Sequence, residues 1–123
     1  MSQQRLFTVE EANALLPTVA PMVESLRDAQ REMDDRHDQV TSVAAGNGGG
    51  EPGTAFLEAN ERAAAMLAEI QALGIVVRDP STGLIDFPAE RDGEEIFLCW
   101  RLGEDDVAWW HPIDTGIAGR QPL

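Results

Sequence analysis

Lysine and tyrosine are absent from this sequence, and cysteine occurs once. Without lysine there is no Schiff-base amine and no phosphate loop of the Walker type. A single thiol, Cys99, excludes an internal disulfide and suits a reducing compartment, so a cytoplasmic location is expected. No run approaches the roughly 18 apolar residues that a membrane helix needs. The opening stretch MSQQRLFTVEE lacks the apolar centre of a signal peptide. Cations are scarce: all nine basic residues are arginine, against 22 acidic residues, for a formal net charge of −13. That balance argues against nucleic acid and against an anionic membrane as partners, and favours a cation or a basic patch on another protein.

What is present suits one domain. The 123 residues are 43% apolar, enough for one core and too apolar for a disordered acidic chain. Residues 1–123 therefore read as a single unit. A helical part spans 8–73 and is interrupted by a flexible glycine loop at 46–53. An antiparallel sheet spans 74–112, and a wrapping tail spans 113–123.

Thr8 and Glu11 have the spacing of a capping box, with Phe7 placed to pack back on the first turns. A short helix over 9–16 should follow. Pro17 and Pro21 then predict a bend near 16–18, because each lacks an amide proton and crowds the preceding turn. The next helix carries Val19, Leu26, Met33 and Val40 at intervals of seven, flanked by Val23, Gln30, His37 and Ala44. The charged run over 24–38 mostly fills the outer positions and reads as a solvated face. A helix from about Thr54 to Leu73 repeats Phe56, Ala63 and Ile70, with Asn60 and Leu67 between them, and Gly74 ends it. Two seams of equal period joined by a loop predict a long antiparallel hairpin with coiled-coil-like packing. Folding about the loop centre sets Leu67 opposite Met33, Asn60 near Val40, and His37 near Ala63 and Ala64, where a core-flanking histidine is the simplest reading.

After Gly74 the rhythm changes to alternation. Strands are expected at 75–79, at 84–87 with Pro88 as the stop, at 95–102 and at 107–111. Asp92-Gly93 is a hairpin signal. The expected fold class is α+β: a short N-terminal helix and a long antiparallel helical hairpin, followed by a small three- to four-stranded antiparallel β-meander. The sheet should pack on the proximal end of the hairpin.

Particular segments carry a resemblance. They are FTVEEANALLP at 7–17, GIVV at 74–77, GLIDFP at 83–88, LCWRLGE at 98–104, WH at 110–111 and GRQPL at 119–123. Together they resemble the bacterial family known as domain of unknown function 2203, over nearly the whole chain, with the glycine loop as the variable part. The resemblance implies a small bacterial protein. It carries no activity, substrate or catalytic residue onto these positions.

The sequence singles out no reaction: there is no HExxH, no CxxC and no catalytic serine pattern. His111, at a strand end beside two tryptophans, is a candidate metal ligand or general base, set against a histidine that bonds a backbone carbonyl. Asp86 lies between Ile85 and Phe87 and needs a partner, with Arg101, Arg91 or Arg120 as candidates. Glu104 and Asp114 complete a candidate set for a divalent metal with His111 and Asp86. Cys99 stands apart from that set. If Gly103 pairs with Asp106, Trp100 meets Trp109, Leu98 meets His111, and Cys99 points to the opposite face. A one-residue bulge would instead bring Cys99 across from His111; the unbulged register is the expectation.

Trp109 and Trp110 point to opposite faces, one toward the helices and one needing a cover from the tail, a ligand or another subunit. Trp100, Arg101, Trp109, Trp110 and Arg120 are the candidates for a small anionic ligand; the alternative for Arg120 is a salt bridge that anchors the tail. Apolar residues on both strand faces suggest a homodimer or another protein partner. The reading that uses all of this is a non-catalytic binding or protein-interaction module. The alternative is a metal-dependent enzyme or metal-binding protein built on His111 and nearby carboxylates.

Overall fold

A computed structural model describes the backbone of residues 5–45 and 50–123, and the side chains of 5–35 and 54–123. Helix α1 (Val9–Ala45) and helix α2 (Gly50–Ala72) precede a five-stranded antiparallel sheet. Its strands β1 (Val76–Asp79), β2 (Leu84–Arg91), β3 (Glu94–Arg101), β4 (Trp109–Pro112) and β5 (Gln121–Pro122) are neighbours in chain order. No helix among the described residues is long and apolar enough to cross a membrane.

The start of α1 is built as its residues dictate. Glu11 N–H donates to Thr8 Oγ1 at 3.0 Å and Thr8 N–H to Glu11 Oε1 at 2.9 Å, which satisfies two orphan donors. Phe7 is buried, edge-on to Phe87 with ring centroids 5.3 Å apart. The bend expected at 16–18 does not occur, and there is no separate short helix: α1 runs unbroken through Pro17 and Pro21. Both prolines are exposed, so the carbonyls they leave unbonded, those of Asn13 and Pro17, lie on the water side. The opposite stripe, Ala12, Leu16, Val19, Val23, Leu26, Ala29 and Met33, is buried along its length. Burial of seven side chains on one continuous face outweighs two missing backbone bonds on the other.

The hairpin also closes differently. α2 begins at Gly50, four residues before the expected start at Thr54, so the second half of the glycine loop is helical. Pro52 falls in the first turn, where no amide donor is required. Arg62 therefore pairs with Glu32 across the hairpin, where the expected pairing of Leu67 with Met33 puts Ala68. Ala59 takes the buried place expected for Asn60, which is exposed, and Ala29 is buried beside a half-buried Gln30. His37, Val40 and Ala44 lie outside the residues whose side chains are described, as does the loop at 46–49.

In the sheet, Asp92 (φ 53°) and Gly93 (φ 83°) both adopt positive φ between the paired Arg91 and Glu94. That is the two-residue turn whose twist matches its strands. β2 continues past Pro88 to Arg91, where a stop was expected. Pro88 carbonyl accepts from Phe7 N–H at 2.7 Å, on the side of β2 away from β3. A residue's N and O point the same way in a strand, so the missing proline donor falls outside the ladder. The tail is more than a wrap: β5 pairs with β4, Trp109 to Pro122 and Trp110 to Gln121, giving five strands where three or four were expected.

Ile85, Phe87 and Ala89 of β2 and Ile96, Leu98 and Trp100 of β3 form the inner face, in one cluster with the α1 stripe. The sheet meets the proximal end of the hairpin, where Val107 N–H donates to Asn13 Oδ1 at 2.7 Å. Val107 is buried, so this amide has no access to water. Asn13→Ala is expected to destabilise the fold by about 1–3 kcal/mol, as an orphaned buried donor does. Thr8→Ala, which loses an exposed cap, should cost only about 1 kcal/mol. Urea denaturation of both variants checks the order.

Candidate functional site

The outer face of the sheet is buried at its centre, and there the polar residues meet. Alternation along β2 turns Asp86 away from the helices, and its cross-strand neighbour on β3 is Cys99. On β4, His111 pairs with Phe97 and Trp109 with Cys99. This register differs by one residue from the expected one, so Cys99 and His111 share a face instead of lying on opposite faces. The cause is the connection between β3 and β4. Residues 102–108 form no two-residue turn. Arg101 N–H donates to Glu104 Oε1 at 2.7 Å, Trp100 Nε1 donates to the Glu104 carbonyl at 3.0 Å, and Val107 is drawn to Asn13.

Asp86, Cys99 and His111 are 1%, 1% and 2% exposed. Asp86 Oδ2 accepts from Arg78 Nε at 2.7 Å and lies 2.9 Å from His111 Nε2. His111 Nδ1 donates to the Pro112 carbonyl at 2.8 Å. Both imidazole nitrogens thus face oxygen acceptors. Asp86 Oδ1 is buried with no hydrogen-bond partner among the described residues. Arg78, on β1, also lies over the Phe97 ring at 4.6 Å. Above these groups the segment after β4, with Ile113, Thr115, Gly116 and Ile117, roofs a pocket of about 200 Å³ that also touches Arg78 and Leu84.

Beside the pocket, Arg120 closes the tail down. Its guanidinium forks onto Glu104 at 2.6 and 2.9 Å, its Nε donates to Cys99 Sγ at 3.3 Å, and it covers the Trp109 ring at 5.1 Å. Burial pushes the Cys99 thiol up to about 11, with the opposing pull of Arg120 and a further rise from the charge and hydrogen bonding of the neighbouring Asp86 carboxylate. Burial also works to raise Glu104, but the Arg120 fork and the Arg101 amide overcome it and hold the carboxyl below its ordinary value. The same fork, against burial, raises Arg120.

Of the metal candidates, the fold brings His111 and Asp86 together and leaves Glu104 and Asp114 apart from them. Glu104 is engaged by Arg120, and Asp114 is exposed in the roof segment. Of the ligand candidates, Trp109 and Arg120 lie on the outer face. Trp100 is buried on the inner face, Trp110 pairs with Leu98 on that same side under Arg91, and Arg101 is exposed, contributing its backbone to the turn. The partner of Asp86 is Arg78, not Arg101, Arg91 or Arg120. Its signal in the sequence was alternation: Arg78 stands two residues from Val76, which pairs with Asp86.

A carboxyl held below its ordinary value by folding stabilises the protein above its unfolded pKa, near 4.5, and loses that contribution as pH falls through the folded value. Acid titration of stability should therefore show a loss below about pH 4.5 that is smaller in Glu104→Gln, read from urea midpoints at successive pH values.

A family described as "Uncharacterized conserved protein (DUF2203)" matches residues 5–123. No curated protein and no solved structure matches the chain. The matched stretch includes both helices, all five strands and every residue of the outer-face cluster, and so the chain belongs to the DUF2203 family.

Proposed function

We propose that this protein is a non-catalytic binding module whose ligand sits in the outer-face pocket over Asp86, Cys99 and His111. The observation that carries the reading is Asp86 Oδ1, a buried carboxylate oxygen with no partner among the described residues, beside a cavity of about 200 Å³. A buried acceptor left in that state costs about 1–3 kcal/mol, which a donor or cation in the pocket would recover.

The neighbouring groups support binding over reaction. The Cys99 thiol, pushed up to about 11, is not a nucleophile at neutral pH. His111 Nδ1 is tied to the Pro112 carbonyl and Nε2 faces Asp86 Oδ2 at 2.9 Å, a placement that suits holding a ligand beside Asp86. The lone thiol, with no disulfide partner, fits a cytoplasmic setting.

The proposal extends to a homodimer. Leu6, Ile113 and Leu123 stand exposed around the Ile96 end of the sheet, where two adjoining depressions meet at Leu6. An apolar rim of this kind is suited to a second copy.

Native mass spectrometry of untagged protein should show mass in excess of the chain that is absent from His111→Ala. A bare chain mass, with no change in melting temperature across metal salts and small metabolites, would overturn the reading. Sedimentation over micromolar concentrations should show a species heavier than 13.4 kDa; a monomer throughout removes the dimer.

A further inference from the structure

We infer that the ligand of this pocket is a zinc-type divalent metal ion, held by Asp86, Cys99 and His111 with one position open to the pocket. This rests on the binding reading above and names its ligand.

Three adjacent strands carry the donors: β2 carries Asp86, β3 Cys99 and β4 His111, all on one face. One ligand atom from each lies within 4.8 Å of the other two. Bond lengths of about 2.3 Å to sulfur and about 2.0–2.2 Å to nitrogen or oxygen put the donors of a tetrahedral ion roughly 3.5 Å apart. The widest separation must therefore close by about 1 Å, within reach of rotation about the Cys99 and Asp86 side chains.

The histidine is oriented as a ligand is. Nδ1–H donates to the Pro112 carbonyl, the outer-shell bond that fixes the ring and leaves the Nε2 lone pair forward. That lone pair faces Asp86 Oδ2 at 2.9 Å. Two lone pairs at this distance repel unless something positive lies between or beside them, either a proton or a metal. Asp86 Oδ1 is the independent pointer: it is buried, unpartnered among the described residues, and belongs to a residue that lines the cavity. A thiolate, an imidazole and a carboxylate together are the donor set of zinc sites, and three protein ligands leave the fourth place to the pocket.

Two arginines touch these donors, and of the two it is Arg78 whose charge is paired with a donor itself. Arg120 is already neutralised by Glu104, and its Nε–H on Cys99 Sγ is the bond that steadies a metal-bound thiolate. Arg78 holds Asp86 Oδ2 from a side chain 42% exposed, free to turn to water when a cation takes the carboxylate. On binding, the Cys99 S–H bond breaks, its proton passes to solvent, and the sulfur pair forms the bond to the metal. A proton shared between His111 and Asp86 leaves the same way.

The test begins with chelator-stripped protein titrated with cobalt(II), then zinc. One cobalt per chain is expected, with a thiolate-to-cobalt charge-transfer band that zinc abolishes. Cys99→Ser should lose the band, and Asp86→Asn should weaken binding at least tenfold. Arg78→Gln alters only the competitor for Asp86 and keeps the test open if ligand variants fail to fold: it should bind cobalt several-fold more tightly. Wild type without a cobalt band, a folded Cys99→Ser that keeps it, or weaker binding by Arg78→Gln would each overturn the inference. If chelation leaves an excess mass on wild-type protein that His111→Ala lacks, the pocket holds an organic ligand: the metal fails and the binding reading stands. If no excess mass and no melting response remain, both fall.

Discussion

Asn13 Oδ1 holds the Val107 amide at 2.7 Å, and the outer face of the sheet depends on that contact. Val107 is buried beneath α1, so the chain leaving β3 must first reach the helix before it can return as β4. The return fixes Phe97 opposite His111 and Cys99 opposite Trp109. Slippage by one residue would send His111 to the helix side and leave Asp86 with Arg78 alone. A helix-borne amide thus sets the geometry of a cluster on the far side of the sheet, one layer away. The capping box and the buried Phe7, both next to Asn13 in the chain, fix where α1 begins and therefore where that amide stands.

The two faces of the sheet bury opposite chemistry, the outer one only at its centre. Inside, Ile85, Phe87, Ile96, Leu98 and Trp100 join the helices in one apolar cluster. Outside, a carboxylate, an imidazole and a thiol lie under a roof of a few residues, with arginines at the edge. An apolar set of similar shape would pack as well or better, since buried charges repay their desolvation only when fully bonded. Here one carboxylate oxygen is left over, and Cys99 is held as a thiol. Both make poor packing material, which is what the proposed binding site rests on.

Much of the architecture was legible from local chemistry. Thr8 and Glu11 announced the helix start, Asp92-Gly93 the hairpin, and the change from seam spacing to alternation at Gly74 the α+β class. What local chemistry could not show was decided by tertiary burial. Pro17 and Pro21 are breakers in isolation, yet the stripe from Ala12 to Met33 carries the helix past them. Pro88 is a strand stop in isolation, yet its nitrogen faces away from the ladder. The site was half legible: Asp86 and His111 stood out as polar residues in apolar strands. Cys99 was noticed but set on the wrong face, and Arg78 was missed, because their membership depends on a register set by Asn13, 94 residues before Val107, and on the pairing of β1 with β2.

The arginine-only cation content has a counterpart in space: Arg5, Arg78, Arg91 and Arg120 lie over Phe7, Phe97, Trp110 and Trp109 at 4.3, 4.6, 4.8 and 5.1 Å. A guanidinium keeps its charge through strong alkali, so these covers do not titrate away. With lysine and tyrosine both missing, Cys99 is the side chain left to ionise between about pH 9 and 12. Folding lifts its thiol from 9.0 to about 11, so that share of stability is whole below pH 9.0 and drains away as pH climbs toward 11. In the metal-free protein the pH slope of stability across that window is therefore expected to come from one side chain, a single sulfur atom.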